Sequence, residues 1–338
     1  MTATKISGGG ASPFRSLQVQ LWLIFWCYAT LVNAFYALIY EDFFVLRYPA
    51  FYLQCLLSII FIKHFLDVDT RALHVIYYGT AASLGMQALV YAASGYEAVG
   101  RETLLFSNPN QLGFYGLLAL SMLTYLQVKI KANIFIFLSA VACGVLLVLL
   151  SLSKAAILST VTLLGMLFWY YPMQSRFSWI LKVSVAVVIV GCAAYMYSRT
   201  SADIELFQTV VERLSRIGQS QDDSFQGRGY IRMWLYPAYM FLGAGEGLFE
   251  RFEYPREIHS LFGTVLFSYG LIGFSLLAAA LIFVFSRAPK DFIVFFGPIL
   301  LYSLTHHPLR QLMLWVFLVL MEHVSSRTTT EFPRLNSS

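Results

Sequence analysis

About ten apolar blocks of roughly 17–25 residues divide this chain of 338 residues, each the length an α-helix needs to cross a hydrocarbon core about 30 Å thick. A lipid solvent offers backbone amides no water, so each block must satisfy its own hydrogen bonds, and helices are the expected form. Composition agrees: 58% of residues are hydrophobic, 12% are charged and mean hydropathy is +0.67, whereas about 25% of a soluble domain is charged. The predicted fold class is all-α, a polytopic integral membrane protein. Its spans fall at residues 19–40, 48–65, 73–94, 110–127, 132–152, 155–172, 179–197, 259–285, 291–306 and 309–324. The thinnest separations are Ser153-Lys154 and His307-Pro308.

Basic residues then test the orientation. With the N-terminus inside and the spans alternating, twelve Lys and Arg lie at the inner ends and only Arg47, Arg101, Lys154 and Arg310 in short outer loops. The other seven fall in one long outer loop, residues 198–258. The chain thus divides into an inner tail (1–18), a first bundle of about seven helices (19–197), the large loop (198–258), about three further helices (259–324) and a second inner tail (325–338). The N-terminal tail is polar, and no cleavage site follows the first block, which reads as a retained helix. Cys27, Cys55, Cys143 and Cys192 sit apart inside apolar blocks and read as small buried hydrophobes, with neither metal spacing nor a disulfide framework. The net charge of +5 comes without basic runs or aromatic-basic interleaving, so nucleic acid is not an expected partner.

The long loop carries most of the candidate chemistry. Residues 203–218 place Ile204, Phe207, Val210, Val211, Leu214 and Ile217 at helical spacing, an amphipathic helix that either packs over the bundle or lies on the membrane surface. Arg228 and Arg232 are spaced i, i+4 in a segment that reads as helical and half-inserted, so they share one face. Two guanidinium forks suit a diphosphate; as interfacial anchors the same side chains would only snorkel to water. Gly243-Ala244-Gly245-Glu246-Gly247 lacks the context of a nucleotide loop, and its glycines suit close passage past a ligand or a helix end. Glu257-Ile258-His259-Ser260 opens the next span. The imidazole there titrates near neutral pH and can serve as a general base, or be structural.

Elsewhere on the outer side, Asn108-Pro109-Asn110 reads as a helix start. Lys154, with Arg101, can extend a basic outer pocket. His306 and His307 are adjacent, so on a helix they point different ways and do not suggest a metal site. No metal and no cofactor is expected.

The order of these pieces resembles the O-antigen ligase and polymerase superfamily of bacterial membranes: NPNQLG before a span, SLSKAA at a helix break, then GRGYIRMW, GAGEGLF and EIHSLFGTVLFSYGLIG. The resemblance covers about residues 105–275. It implies an enzyme of the bacterial inner membrane, with a periplasmic site and cytoplasmic termini. Such enzymes transfer a glycan from undecaprenyl diphosphate to an acceptor hydroxyl without nucleotide sugar or metal. It also implies partners: lipid-linked donor and acceptor glycans, the bilayer, a flippase and a chain-length regulator. By resemblance Arg228 is the loop arginine and His259 the base, while Lys154 stands where the family has arginine, keeping charge but losing the fork. Arg232, Arg101 and Lys154 would add positive charge at the leaving diphosphate. Glu257 or Glu246 would orient the imidazole. The wording EIHSLF…YGLIG and the short chain point to a polymerase; the alternatives are a ligase acting on lipid A-core and, from another class, a polysaccharide-lipid transporter.

Overall fold

A computed structural model describes residues 16–69, 71–94, 101–170, 226–289 and 291–331. The expected seventh span (179–197), the amphipathic helix (203–218), Cys192 and most of both tails lie outside the described residues. Within them every regular element is helical. Six long helices come first: α1 (Leu17–Tyr40), α2 (Arg47–Val68), α3 (Ala72–Ser94), α4 (Pro109–Ile130), α5 (Ile134–Ser151) and α6 (Lys154–Tyr170). Two short helices follow, α7 (Ile231–Leu235) and α8 (Tyr239–Leu242), then α9 (Leu261–Arg287), α10 (Phe292–Ser303) and α11 (Leu312–Glu331). Among the described residues, five stretches are long and apolar enough to cross a membrane: Leu17–Tyr40, Phe43–Val68, Pro109–Ile130, Ile134–Ser151 and Leu261–Arg287. Three shorter apolar helices accompany them. The protein is membrane-embedded and helical.

The surface of α1 shows what solvent it meets. Its buried residues, Gln18, Val19, Trp22, Phe25, Ala29, Asn33 and Ala37, recur every three or four positions, one stripe of a 3.6-residue helix. The opposite face is exposed yet equally apolar, with Leu31, Phe35 and Leu38. Lipid, not water, suits both faces. Packing between helices then depends on shape more than on hydrophobicity. Gly116 and Gly144 let α4 and α5 close together: a Cβ at Gly116 would stand 2.8 Å from Val148, and one at Gly144 2.7 Å from Leu120. Trp22 of α1 meets Trp315 of α11 edge-on at 4.3 Å.

Helix ends are set by local chemistry. Asn108 caps α4 by accepting from the Gln111 amide, with Pro109 in the first turn. Asn133 caps α5, and Ser260 caps α9 by accepting from the Gly263 amide. α10 stops at Ser303, earlier than the block 291–306 suggested. At 12 residues it is about 18 Å long. Residues 304–311 then form an eight-residue bridge containing one 3-10 turn, Pro308–Arg310.

Charged side chains gather at two ends of the bundle. At one end Lys63 of α2 reaches Ser16 and Glu322 at 3.0 and 3.2 Å, and Lys129 of α4 pairs with Asp291 at 3.2 Å. The other end holds the site.

α9 is bent at Gly270, where φ is +65° and ψ is −171°. The bend takes the Phe267 and Ser268 carbonyls out of the helical ladder, and the amides of Ala244 and Gly245 satisfy them at 2.9 Å each. The glycine loop thus serves a broken helix. At Gly270 a Cβ would run into the Phe241 carbonyl oxygen, in a positive-φ, extended-ψ conformation that costs other residues on the order of 1–3 kcal/mol. Gly270→Ala is therefore expected to destabilise the protein by more than that penalty, read as a lowered melting temperature in detergent. Melting at the wild-type temperature would contradict this account of the bend.

Candidate functional site

Three separated segments converge at this end of the bundle: the Arg228 turn, the irregular segment entering α9, and the bridge between α10 and α11. Gly229 makes the first approach possible. Its φ is +72°, and a Cβ would stand 2.9 Å from the Glu257 carbonyl oxygen, so only glycine lets the two backbones touch. The His259 amide then donates to the Arg228 carbonyl at 3.2 Å. Arg228 Nη1 donates to the Thr305 carbonyl at 3.0 Å, and the Leu261 amide donates to the His306 carbonyl at 3.0 Å. Arg228 is half-buried and the His259 side chain is exposed.

The expected helical face shared by Arg228 and Arg232 is not formed. α7 begins only at Ile231 and ends at Leu235, before Pro237, so Arg228 lies in the turn ahead of it. Arg232 is buried, with its guanidinium 5.5 Å from the Phe252 ring centre and 5.4 Å from that of Phe267. Burial pushes its pKa down to about 10, against the opposing pull of Glu257. Arg251 packs on Phe252 as well, and on Tyr36 and Tyr40. These two arginines occupy an aromatic cage, to which the Arg228 turn is joined by the Arg232 amide donating to the Gly229 carbonyl at 3.3 Å.

Glu246 is fully enclosed. Its carboxylate accepts from Tyr52 at 2.7 Å, from Tyr269 at 2.6 Å and from both Nε (3.1 Å) and Nη2 of Arg310. The side chain of Asn33 clamps its backbone, accepting from the Glu246 amide and donating to its carbonyl. Arg310 also donates to Glu257 at 2.6 Å. One guanidinium thus joins the glycine loop to the segment carrying His259. His307 lies beside it, Nδ1 at 3.7 Å from Glu246. Burial alone would raise the Glu246 pKa, but Arg310 and His307 hold it down to about 2. Burial pushes His307 down to about 4.

Both shifts act on stability with the same sign. Glu246 binds its proton more weakly when folded than at its ordinary 4.5, so its contribution is present above that pH and lost as pH falls toward 2. His307 also binds a proton more weakly when folded than at its ordinary 6.5, so the unfolded chain gains protons first and stability falls between that pH and 4. Melting temperature is expected to decline from pH 6.5 downward, and His307→Asn to flatten the decline above pH 4.5. A wild-type profile level from pH 7 to 4 would contradict this.

Across the bridge stands a second group. Arg101 donates to the Ser151 carbonyl at 3.2 Å and to Asn110 Oδ1 at 2.6 Å. Tyr302 donates to the Asn110 carbonyl at 3.0 Å. Lys154 is half-buried at the first position of α6. Of the seven residues named from sequence, the structure joins Arg228 with His259 directly and Glu246 with Glu257 through Arg310. Arg101 approaches from the bundle side through Asn110 and Tyr302. Arg232 is caged, and Glu246 is built into the fold beneath the site. Sequence reasoning missed Arg310, Asn33, Tyr52 and the role of the bridge. The available signal was polar Asn33 within an otherwise apolar span, since a polar group in lipid needs a partner. Set against protein-family models, curated proteins and solved structures, the chain matches none.

Proposed function

We propose that this chain is a metal-independent glycosyltransferase of the inner bacterial membrane that polymerises undecaprenyl-diphosphate-linked oligosaccharide repeat units at the periplasmic face. The proposal includes about ten spans with both termini cytoplasmic, an orientation supported by the twelve-to-four distribution of basic residues. The observation that carries it is the backbone contact between the Arg228 turn and His259 at the mouth of the bundle. That contact holds the residue with the guanidinium and the residue with the exposed imidazole on neighbouring backbones, which supports their acting on one bound headgroup. The resemblance to O-antigen polymerases and ligases supplies the substrate class.

In this reading the acceptor hydroxyl oxygen attacks the anomeric carbon of the donor. The bond from that carbon to the diphosphate oxygen breaks, and the lipid diphosphate leaves with the electron pair. Arg228 neutralises the departing oxygens. His259 takes the acceptor proton, and attack from behind inverts the anomeric configuration. Arg310 fixes the backbone next to His259 by gripping Glu257, which assigns Glu257 to positioning.

Purified protein given lipid-linked repeat units, and no lipid A-core, is expected to make long chains. A single transfer that requires lipid A-core would make it a ligase instead.

A further inference from the structure

We propose that the aromatic cage holding Arg232 and Arg251 is an anion site in its own right, for the phosphate or diphosphate headgroup of a lipid. The inference goes beyond the glycan-transfer reading and stands without it. Arg232, on α7, is buried at 3% exposure. Arg251 closes the 3-10 turn Phe249–Arg251, and its Nη2 donates to the Ala244 carbonyl of the glycine loop. Both guanidiniums approach one ring: the centre of Phe252 lies 5.5 Å from that of Arg232 and 4.7 Å from that of Arg251. Phe267 of α9 faces Arg232 at 5.4 Å, and Tyr36 and Tyr40 of α1 face Arg251 at 4.5 and 4.9 Å. Two positive charges therefore share one cage, built from α1, α7, α9 and the loop between the last two.

The cage leaves these charges short of acceptors. Among the described residues, Arg232 Nε and Arg251 Nε and Nη1 are enclosed donors without a hydrogen-bond partner. A ring face attracts a cation, but it does not replace an acceptor for a buried charged N–H, and such donors are costly to leave unmatched. The carboxylates nearby have other work. Glu257 pulls on Arg232, yet it is gripped by Arg310 at 2.6 Å. Glu246 is taken by Arg310, Tyr52 and Tyr269. Glu250 and Glu253, which flank Arg251 in sequence, are exposed, and among the described residues no carboxylate forms an ion pair with either caged arginine. Two guanidiniums with buried donors to spare make a site complementary to anionic oxygens.

Charge and surroundings together select the ligand. A phosphate monoester carries about −1.5 to −2 at neutral pH and three acceptor oxygens, a match for two arginine forks. The rim of the cage is apolar. Trp234, Leu235, Phe241 and Leu242 are exposed on α7 and α8, and Phe35 and Leu38 are exposed on the adjoining part of α1. α8 is fastened to that helix: Tyr28 donates to the Leu242 carbonyl at 3.0 Å, and Tyr36 to the Gly243 carbonyl at 3.1 Å. Exposed aromatic and aliphatic side chains at the end of a membrane bundle suit headgroup depth. A free anion gains nothing from such a rim, whereas the tail of a lipid lies against it while the headgroup reaches the arginines.

The test is the affinity of farnesyl phosphate for the purified protein in nanodiscs of neutral phosphatidylcholine, measured by calorimetry beside the melting temperature of each variant. Wild type and Arg228→Ala are both expected to bind at the cage. Arg251→Gln is expected to weaken that binding about 10–100-fold, the range for losing hydrogen bonds to a charged group, and Arg232→Lys to weaken it less, since it keeps the charge and loses the fork. Unchanged affinity in both cage variants, or no binding by the wild type, would overturn the inference. Binding lost in Arg228→Ala alone would place the headgroup beside His259, overturning the cage as its site and leaving the glycan-transfer reading intact. Inorganic phosphate bound as tightly as farnesyl phosphate would show a free-anion site and overturn the lipid as ligand. If a cage variant does not fold, photolabelling of the wild type with a diazirine analogue of farnesyl phosphate decides. Label on residues 35–40 and 234–242, displaced by farnesyl phosphate and not by farnesol, is the expected result; label elsewhere, or equal displacement by farnesol, would overturn it.

Discussion

Glu246→Ala is expected to destabilise the protein by about 3–5 kcal/mol, the usual cost of leaving one partner of a buried ion pair uncompensated. The carboxylate sits at 2% exposure among Tyr52, Tyr269 and Arg310. Its removal leaves Glu257 as the one carboxylate on Arg310 among the described residues, and two phenols lose their acceptor. Glu246→Gln keeps the shape but not the charge, so it is expected to fall between the two. Removing Arg310 together with Glu246 is expected to cost less than the sum of the single losses, because each single variant already breaks the same interaction. Denaturant or thermal titration in detergent measures the wild type and the four variants. Wild-type stability for Glu246→Ala would remove the anchor from the account.

Arg228→Ala and His259→Ala are expected to behave in the opposite way. Each should lower the rate of glycan transfer by about 10²–10⁴-fold, with melting temperature held near wild type, since one side chain is half-buried and the other exposed. Arg228→Lys is expected to recover only part of the rate, because an ammonium lacks the planar fork that matches two phosphate oxygens. The double variant should be little worse than the poorer single one, as residues that act in one step do not add. Chain length on lipid-linked repeat units, resolved by gel, gives the comparison. Full activity in both single variants would end the proposed mechanism.

How far this was legible in the sequence differs between helices and site. Apolar blocks located the described long helices to within about three residues at each end, because lipid demands a continuous apolar run whatever the tertiary contacts; the exception is α11, which runs on to Glu331, past the expected end at 324, in a polar stretch that hydropathy does not mark. Where that demand relaxes, the reading lost accuracy. LFSYGLIG looks like unbroken span, and nothing local shows that Gly270 bends it, since the bend is stabilised by amides from a loop some 25 residues away. Likewise 304–306 reads as apolar helix, yet Thr305 and His306 are tied to the loop. Arg228 and Arg232 were read by helical spacing, and Pro237 with Gly229 keeps the helix too short for that spacing to apply. Arg310 counted only as an outer charge. Its partner Glu246 lies 64 positions earlier, a pairing that needs the folded bundle.

The central claim is that a bond is made at this end of the bundle, rather than a lipid-linked sugar merely being carried past it. The most direct measurement uses purified protein in sealed vesicles, with labelled lipid-linked repeat units in the leaflet that the site faces. Glycan length and free lipid diphosphate are followed together. The account predicts longer glycans and one lipid diphosphate released for each new linkage. Repeat units that keep their length and their lipid, and appear in the opposite leaflet, would contradict it.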